Sequence, residues 1–442
     1  MHKYVKRLIY FEIGGINMQS DFKFIEGGVS ASVGFTANGV LNHIKANRTT
    51  YDTALIMSER ICNAVGMFTQ NRVKAECVKL TKDYISDGKA QAIIVNSGNA
   101  NACTGEEGYK NAQKEAECVG NALEINPKNV LVCSTGVIGQ QLPVDKILDN
   151  MEDLVGGLSK DGNKKARLAI MTTDTQYKEC ALETEIGGKK VRMGTMAKGS
   201  GMIHINLGTM LGFITTDCAI SSQMLEKALR KSVAGTYNCV SIDGDTSTND
   251  TLLILANGMA GNSEITCEGE DFDKFVDALN VLNTQMAKKI AADGEGATHL
   301  VTCNVVGANS VENARGLAKA VISSNLVKAA FYGADANWGR ILDAMGYSGF
   351  EFTPEKTSVS FFSYKDSKRY FEDGKENNSE KSIIKVFDHG VPLVFDEVKA
   401  KEILSQEAVE ILVELEDGTA NGTAWGCDLT YDYVKINGDY RT

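Results

Sequence analysis

A mixed α/β fold follows from three features of the sequence. These are a strand–helix–strand alternation between residues 92 and 133, a hairpin pattern about Gly187-Gly188, and 43 glycines against four prolines in 442 residues. The apolar runs Ala92–Val95 and Val130–Cys133 read as strands, each running into a small-residue loop, NSGNANACTG and STGVIG. Between them, about Glu106 to Leu123 has helical composition. ALETEIGGKKVRMGT alternates about its glycine pair, the short-range signal of a hairpin. Ser222 to Val233 and Phe272 to Ala292 show helical spacing, and Thr251 to Ala256 reads as a buried strand.

After about His299 the pattern restarts with a strand, and a C-terminal subdomain from about residue 300 is expected, although no Pro- or Ser-rich linker marks it. A helix from about Asn313 to Ala330 follows, then hairpin-like segments near Val359 to Phe371 and Ile383 to Phe387. Trp425 to Tyr433 alternates apolar side chains with Asp428, Thr430 and Asp432 and reads as a last, half-buried strand. The glycine richness makes a helix-only fold improbable, because so many turns must be glycine turns.

A chain of 442 residues exceeds what one core usually organises, so several packed units or one multilayer core is expected. The net charge of -11 opposes a nucleic-acid partner, and no run approaches the roughly 20 apolar residues of a membrane span. Eleven cysteines without a C-x-x-C pair argue against a disulfide framework and a structural zinc, and predict a reducing compartment with most thiols buried as small apolar groups. MHKYVKRLIYFEIGGIN, residues 1–17, is too short and too interrupted for an export leader and is expected to be a disordered extension before Met18.

The sequence carries no P-loop, no G-x-S-x-G elbow, no H-E-x-x-H and no G-x-G-x-x-G after a strand. Its five histidines, His2, His43, His204, His299 and His389, are too scattered for a sequence-evident dyad. Attention falls instead on KGSGMIHINLGTMLGFITTDC, where Gly208 precedes Thr209. A residue without bulk before a threonine lets the hydroxyl approach the preceding carbonyl, so an N-to-O acyl shift and hydrolysis can free an N-terminal threonine. Its α-amine, with a pKa of about 7.7–8.0, is then a ready general base. The same residues would equally suit a glycine-rich turn entering a buried strand, and local chemistry leaves both readings open.

KGSGMIHINLGTML resembles the cleavage-site motif of the ornithine acetyltransferase family, the bifunctional glutamate N-acetyltransferase and amino-acid acetyltransferase family. Similar blocks recur in family order: TALIMSERICNAVGMFTQN, IIVNSGNANACTG, VLVCSTGVIG, IMTTDT, SIDGDTSTNDT, ADGEGATHL, FYGADANWGRILDAMGYSG and INGDYRT. The resemblance implies a layered sandwich with sheets packed between helices. It also implies self-cleavage between Gly208 and Thr209 into an alpha chain, residues 18–208, and a beta chain, residues 209–442. At the cut, Ile205, Leu207 and Gly208 stand where the family usually has Pro, Met and Ala, a change expected to affect the rate of cleavage rather than its occurrence.

Carried over residue by residue, the resemblance makes Thr209 the nucleophile that accepts an acetyl group from N-acetylornithine and passes it to glutamate. Thr135 and Gly136 become the oxyanion-stabilising pair. Lys198 suits a substrate α-carboxylate and Glu295 an ornithine ammonium, with Thr172, Asn437 and Thr442 as further substrate contacts. No metal, nucleotide or flavin is required, and acetyl-CoA is an alternative donor that the residues neither demand nor exclude. The resemblance further implies an α2β2 heterotetramer of the two fragments in the cytoplasm. Two competing readings are a self-processing amidohydrolase or aminopeptidase, which would pass the acyl group to water, and an uncleaved binding protein.

Overall fold

The computed structural model describes residues 22–204, 210–375 and 379–439. Residues 1–17, the Gly208-Thr209 junction and Thr442 lie outside the described residues.

The largest sheet has nine strands: β1 (Lys23–Phe24), β2 (Phe35–Val40), β3 (Thr53–Phe68), β4 (Lys89–Asn99), β5 (Val130–Val137), β6 (Lys178–Ile186), β7 (Lys189–Lys198), β9 (Leu211–Thr216) and β11 (Thr251–Ala256). Their order is β1-β6-β7-β9-β11-β3-β4-β5, with β2 paired to β3. β8 (Ile203–His204) and β10 (Ser241–Thr246) form a separate ribbon. The expected hairpin is β6 and β7, and Gly187 and Gly188 both have positive φ, 57° and 67°, as a type I′ turn needs. β11 is wholly buried between a parallel neighbour, β9, and an antiparallel one, β3, so its sequence is a continuous apolar run rather than an alternating one.

Helices α1 (Glu76–Tyr84) and α2 (Gly105–Ala122) cover the β4–β5 end of this sheet, and α3 (Asp145–Leu148), α4 (Met151–Gly156) and α5 (Asn163–Ala169) follow. α6 (Ser222–Gly235) is capped by Ser221, whose hydroxyl accepts from the Met224 amide. The long α7 (Glu270–Ala292) packs against β6 and β7 of the first sheet and against β12 (Leu300–Ala308) and β17 (Ala420–Cys427) of a second. That second sheet has six strands, completed by β13 (Ser358–Tyr364), β14 (Lys381–Asp388), β15 (Val391–Pro392) and β16 (Ala408–Glu414), in the order β15-β14-β13-β16-β12-β17. One apolar core runs from Met193, Ile214 and Leu252 of the first sheet through Phe275, Leu279 and Leu282 of α7 to Val301 and Ile411 of the second. This is the layered α/β arrangement that the resemblance implies, and α7 is a shared middle layer.

Two expectations need correction. The helix expected from Asn313 to Ala330 is two helices, α8 (Val311–Ser323) and α9 (Asn325–Tyr332), followed by α10 (Trp338–Gly346). Ser324 leaves the helical region, with ψ of 119°, and its hydroxyl accepts from the Val327 amide, ending one helix and capping the next. The strand expected over Trp425–Tyr433 stops at Cys427, and residues Tyr431–Gly438 form α12, after α11 (Glu397–Leu404). Asp428 turns away from the ladder to accept the amides of Thr298 and His299, and Thr430 caps the new helix through the Asp432 amide. The apparent alternation was thus a strand end joined to a helix start. Among the cysteines, Cys103 and Cys267 are exposed, Cys118 is half-buried and the rest are buried, all as free thiols.

Candidate active site

Strand pairing brings the expected residues to one edge of the nine-stranded sheet. Lys198, the last residue of β7, pairs with Leu211 of β9, and Leu211 pairs with Thr251 of β11. The Thr251 amide donates to the Met210 carbonyl at 2.8 Å, which holds the chain next to the expected nucleophile position against the start of β11. Thr135, near the end of β5, lines the same cleft as Lys198, Met210, Ser247 and Asp250. Lys198 and Thr135 are each only 9% exposed.

The oxyanion candidate Gly136 cannot carry a side chain. Its φ is 136°, and a Cβ would fall 2.3 Å from the carbonyl carbon of Gly98 on the adjacent strand β4. Glycine therefore lets the ends of β4 and β5 approach next to Thr135, which lines the cleft.

Glu295 follows α7, buried to 7% exposure against the Lys198–Gly201 turn. Its amide donates to the Ser200 carbonyl at 2.8 Å, and a Cβ on Gly201 would lie 2.3 Å from its Oε2. Asn437 on α12 donates from Nδ2 to Glu295 Oε2 at 2.7 Å. Thr172 sits in the loop before β6, where its amide donates to Asp174 Oδ2 at 3.0 Å. The structure thus unites Lys198, Glu295, Asn437 and Thr172 in one region, with Thr135 lining the same cleft as Lys198 and Gly136 next to it in the chain. Gly208, Thr209 and Thr442 fall outside the described residues.

Several buried charged groups here were not singled out from the sequence. Asp250 lines the cleft at 3% exposure with Oδ2 lacking any partner among the described residues. Burial pushes its carboxyl well above the usual carboxylate range, while Ser247 and Lys198 oppose this only partly. Lys178 is buried between Asp174 and Asp293, with Nζ 2.6 Å from each carboxylate. Burial pulls Asp174 up, but Lys178 and Lys198 override it and hold the carboxyl below its ordinary value. Burial likewise depresses the Lys178 ammonium, and the two aspartates more than restore it. SIDGDTSTNDT and IMTTDT contain two of these aspartates, but nothing in their spacing announces a buried charge. Asp243 receives the amides of Met202 and Ile203 and the Tyr433 hydroxyl, tying the segment before the junction to α12.

The sequence profile of the ArgJ family matches residues 36–442. The arginine biosynthesis bifunctional protein ArgJ of Caldanaerobacter subterraneus subsp. tengcongensis is 47% identical over 420 residues, covering 95% of this chain and 100% of its own length. ArgJ 1 of Clostridium acetobutylicum is 49% identical over 408 residues, covering 92% of this chain and 96% of its own. Among solved structures, an ornithine acetyltransferase complexed with ornithine from Mycobacterium tuberculosis is 39% identical. The match covers 42% of this chain and 98% of that one, with a TM-score of 0.39.

Proposed function

The chain belongs to the ArgJ family, and we propose that it moves an acetyl group from N-acetylornithine to glutamate through an acetyl-threonine intermediate. The observation that carries this reading is the convergence of a buried lysine, Lys198, and a buried glutamate, Glu295, at the end of β7 that pairs with Leu211, with Thr135 lining the same cleft as Lys198 and Met210. A zwitterionic donor with an α-carboxylate and a side-chain ammonium needs both charges. An acetyl carbonyl needs donors where its oxygen becomes negative.

Peptide cleavage between Gly208 and Thr209 frees the α-amine of Thr209. That amine takes the hydroxyl proton as Oγ attacks the acetyl carbon, and Thr135 and Gly136 stabilise the oxyanion. The proton passes to the departing nitrogen of ornithine, leaving an acetyl ester. The amine of glutamate then attacks the ester and regenerates the threonine. Lys198 holds the α-carboxylate in both half-reactions, Glu295 meets the ornithine ammonium, and Thr172, Asn437 and Thr442 complete the substrate contacts. The net reaction exchanges one α-N-acetyl amide for another, so the overall equilibrium lies near unity.

No metal, nucleotide or flavin enters this chemistry, and acetyl-CoA is an additional donor of the same acetyl group. The two fragments work as an α2β2 assembly in the cytoplasm. Among the described residues no helix is long and apolar enough to cross a membrane.

Denaturing mass spectrometry on active protein tests the cut: two fragments are expected, the second beginning at Thr209, and a single intact chain overturns the mechanism. Thr209→Ala should abolish cleavage and transfer together. Assays with N-acetylornithine or acetyl-CoA, with and without glutamate, test the transfer. Acetate released equally fast with and without glutamate would instead identify a hydrolase.

A further inference from the structure

We propose that the buried triad Asp174–Lys178–Asp293 is the positioning device for the substrate-binding residues Thr172, Lys198 and Glu295, holding three separate chain segments to one charge centre. The inference rests on the acetyltransferase reading above. All three triad side chains are at most 1% exposed, and Lys178 Nζ lies 2.6 Å from Asp174 Oδ1 and 2.6 Å from Asp293 Oδ2.

Each carboxylate spends its other lone pairs on backbone at the site. Asp174 Oδ2 accepts the amide of Thr172 at 3.0 Å, and its Oδ1 accepts the amide of Gly199, the peptide that follows Lys198, at 2.7 Å. Asp293 Oδ2 accepts the amides of Thr175 and Gln176 at 3.0 and 3.2 Å, and its Oδ1 accepts the hydroxyls of Thr175 and, at 3.1 Å, of Tyr370. Glu295 lies two residues beyond Asp293 and is tied back to the Lys198 turn by its amide bond to Ser200 O at 2.8 Å. The hydroxyls of Ser200 and Thr173, 2.7 Å apart, close the ring.

Apolar side chains of the same volume would avoid the heavy desolvation cost of burying ions. They could not accept these amides. An anion with directional lone pairs, neutralised by one cation, specifies where the Thr172, Lys198 and Glu295 segments sit, and an error of about 1 Å in such placement costs on the order of a hundredfold in rate. Asp174 and Lys178 precede the Gly208-Thr209 junction and Asp293 follows it, so the same contacts hold the two fragments in register after cleavage.

The test is a triple variant, Asp174→Asn/Lys178→Met/Asp293→Asn, which removes the triad's three charges together. Steady-state constants are measured alongside a thermal melt. Positioning predicts a folded protein whose KM for N-acetylornithine rises at least tenfold and whose kcat/KM falls about a hundredfold. A merely structural role predicts a changed melting temperature with KM within twofold of the parent, and that result overturns the proposal. Lys178→Arg is the second arm, since it keeps the charge balance and hence the fold while displacing the cation's head. A KM raised at least threefold supports positioning, and an unchanged KM overturns it whether or not the triple variant folds. If the parent protein transfers no acetyl group at all, the enzyme reading fails. Ornithine affinity by calorimetry on the same variants then decides the triad, a tenfold weakening supporting it and an equal affinity overturning it.

Discussion

The two walls of the cleft bury carboxyl groups in opposite ways. Behind the Lys198 turn, Asp174 and Asp293 flank Lys178, and the ion pairs hold Asp174 below its ordinary range. Behind strand β5, Glu115 on α2 is fully buried with neither carboxyl oxygen partnered among the described residues, and burial pushes it up to about 8. Equal burial therefore yields an anion on one wall and a neutral acid on the other. What differs is the set of partners: Lys178 and Lys198, with the Gly199 amide, offset the loss of water around Asp174, and Glu115 has no partner among the described residues. A charged wall can hold backbone amides by directional bonds, whereas a neutral one supplies mainly shape.

Breaking the charged wall should have the largest effect. Lys178→Met leaves two buried aspartates facing each other without their cation, and a loss of about 3–5 kcal/mol is expected in urea unfolding. The triple neutral variant should recover most of it; equal losses in both would mean that the uncompensated aspartate charges are not the source of the loss.

The neutral wall predicts an effect of pH. Glu115 has a folded pKa above its unfolded one, so the folded state binds the extra proton, and stability falls as pH rises from about 4.5 towards about 8. Between pH 5 and 8 that decline should amount to about 3 kcal/mol, and Glu115→Gln should abolish it. Asp174 has the opposite sign: its contribution is present above the unfolded carboxylate pKa and is lost as pH falls below it. Stability measured across this range in the parent and in Glu115→Gln separates the two walls. Superimposable profiles would refute the neutral state assigned to Glu115.

Two smaller changes sharpen the comparison. Gly136→Ala, on the neutral wall, forces a Cβ into Gly98 at a φ of 136° and should cost about 1–3 kcal/mol in thermal unfolding. Tyr370→Phe, on the charged wall, removes one hydroxyl donor to Asp293 and should cost about 1 kcal/mol or less in the same measurement. A larger loss there would make the hydroxyl a structural member of the triad.

Local patterns were legible where local physics decides them. The Gly187-Gly188 turn, the buried run Thr251–Ala256 and the helix that follows Ser221 depend on residues a few positions apart. Patterning failed at Trp425–Tyr433, where Asp428 is drawn to amides 129 and 130 residues away and the alternation crosses from strand to helix. The candidate site was legible only through the family resemblance, as separate blocks: STGVIG, IMTTDT, the Lys198 turn, ADGEGATHL and INGDYRT.

What the sequence alone determined is the family, the mixed α/β class and the chemistry expected of a small residue followed by threonine, because these depend on residue types at short spacing. The tertiary structure decided that Lys178 and Asp293, 115 residues apart, share a buried ion pair. It also decided that Asp174 serves the Thr172 and Gly199 amides together, and that Asp250 Oδ2 and both carboxyl oxygens of Glu115 are buried without a partner among the described residues. Burial and the distance to a countercharge are properties of packing, and no linear spacing encodes them.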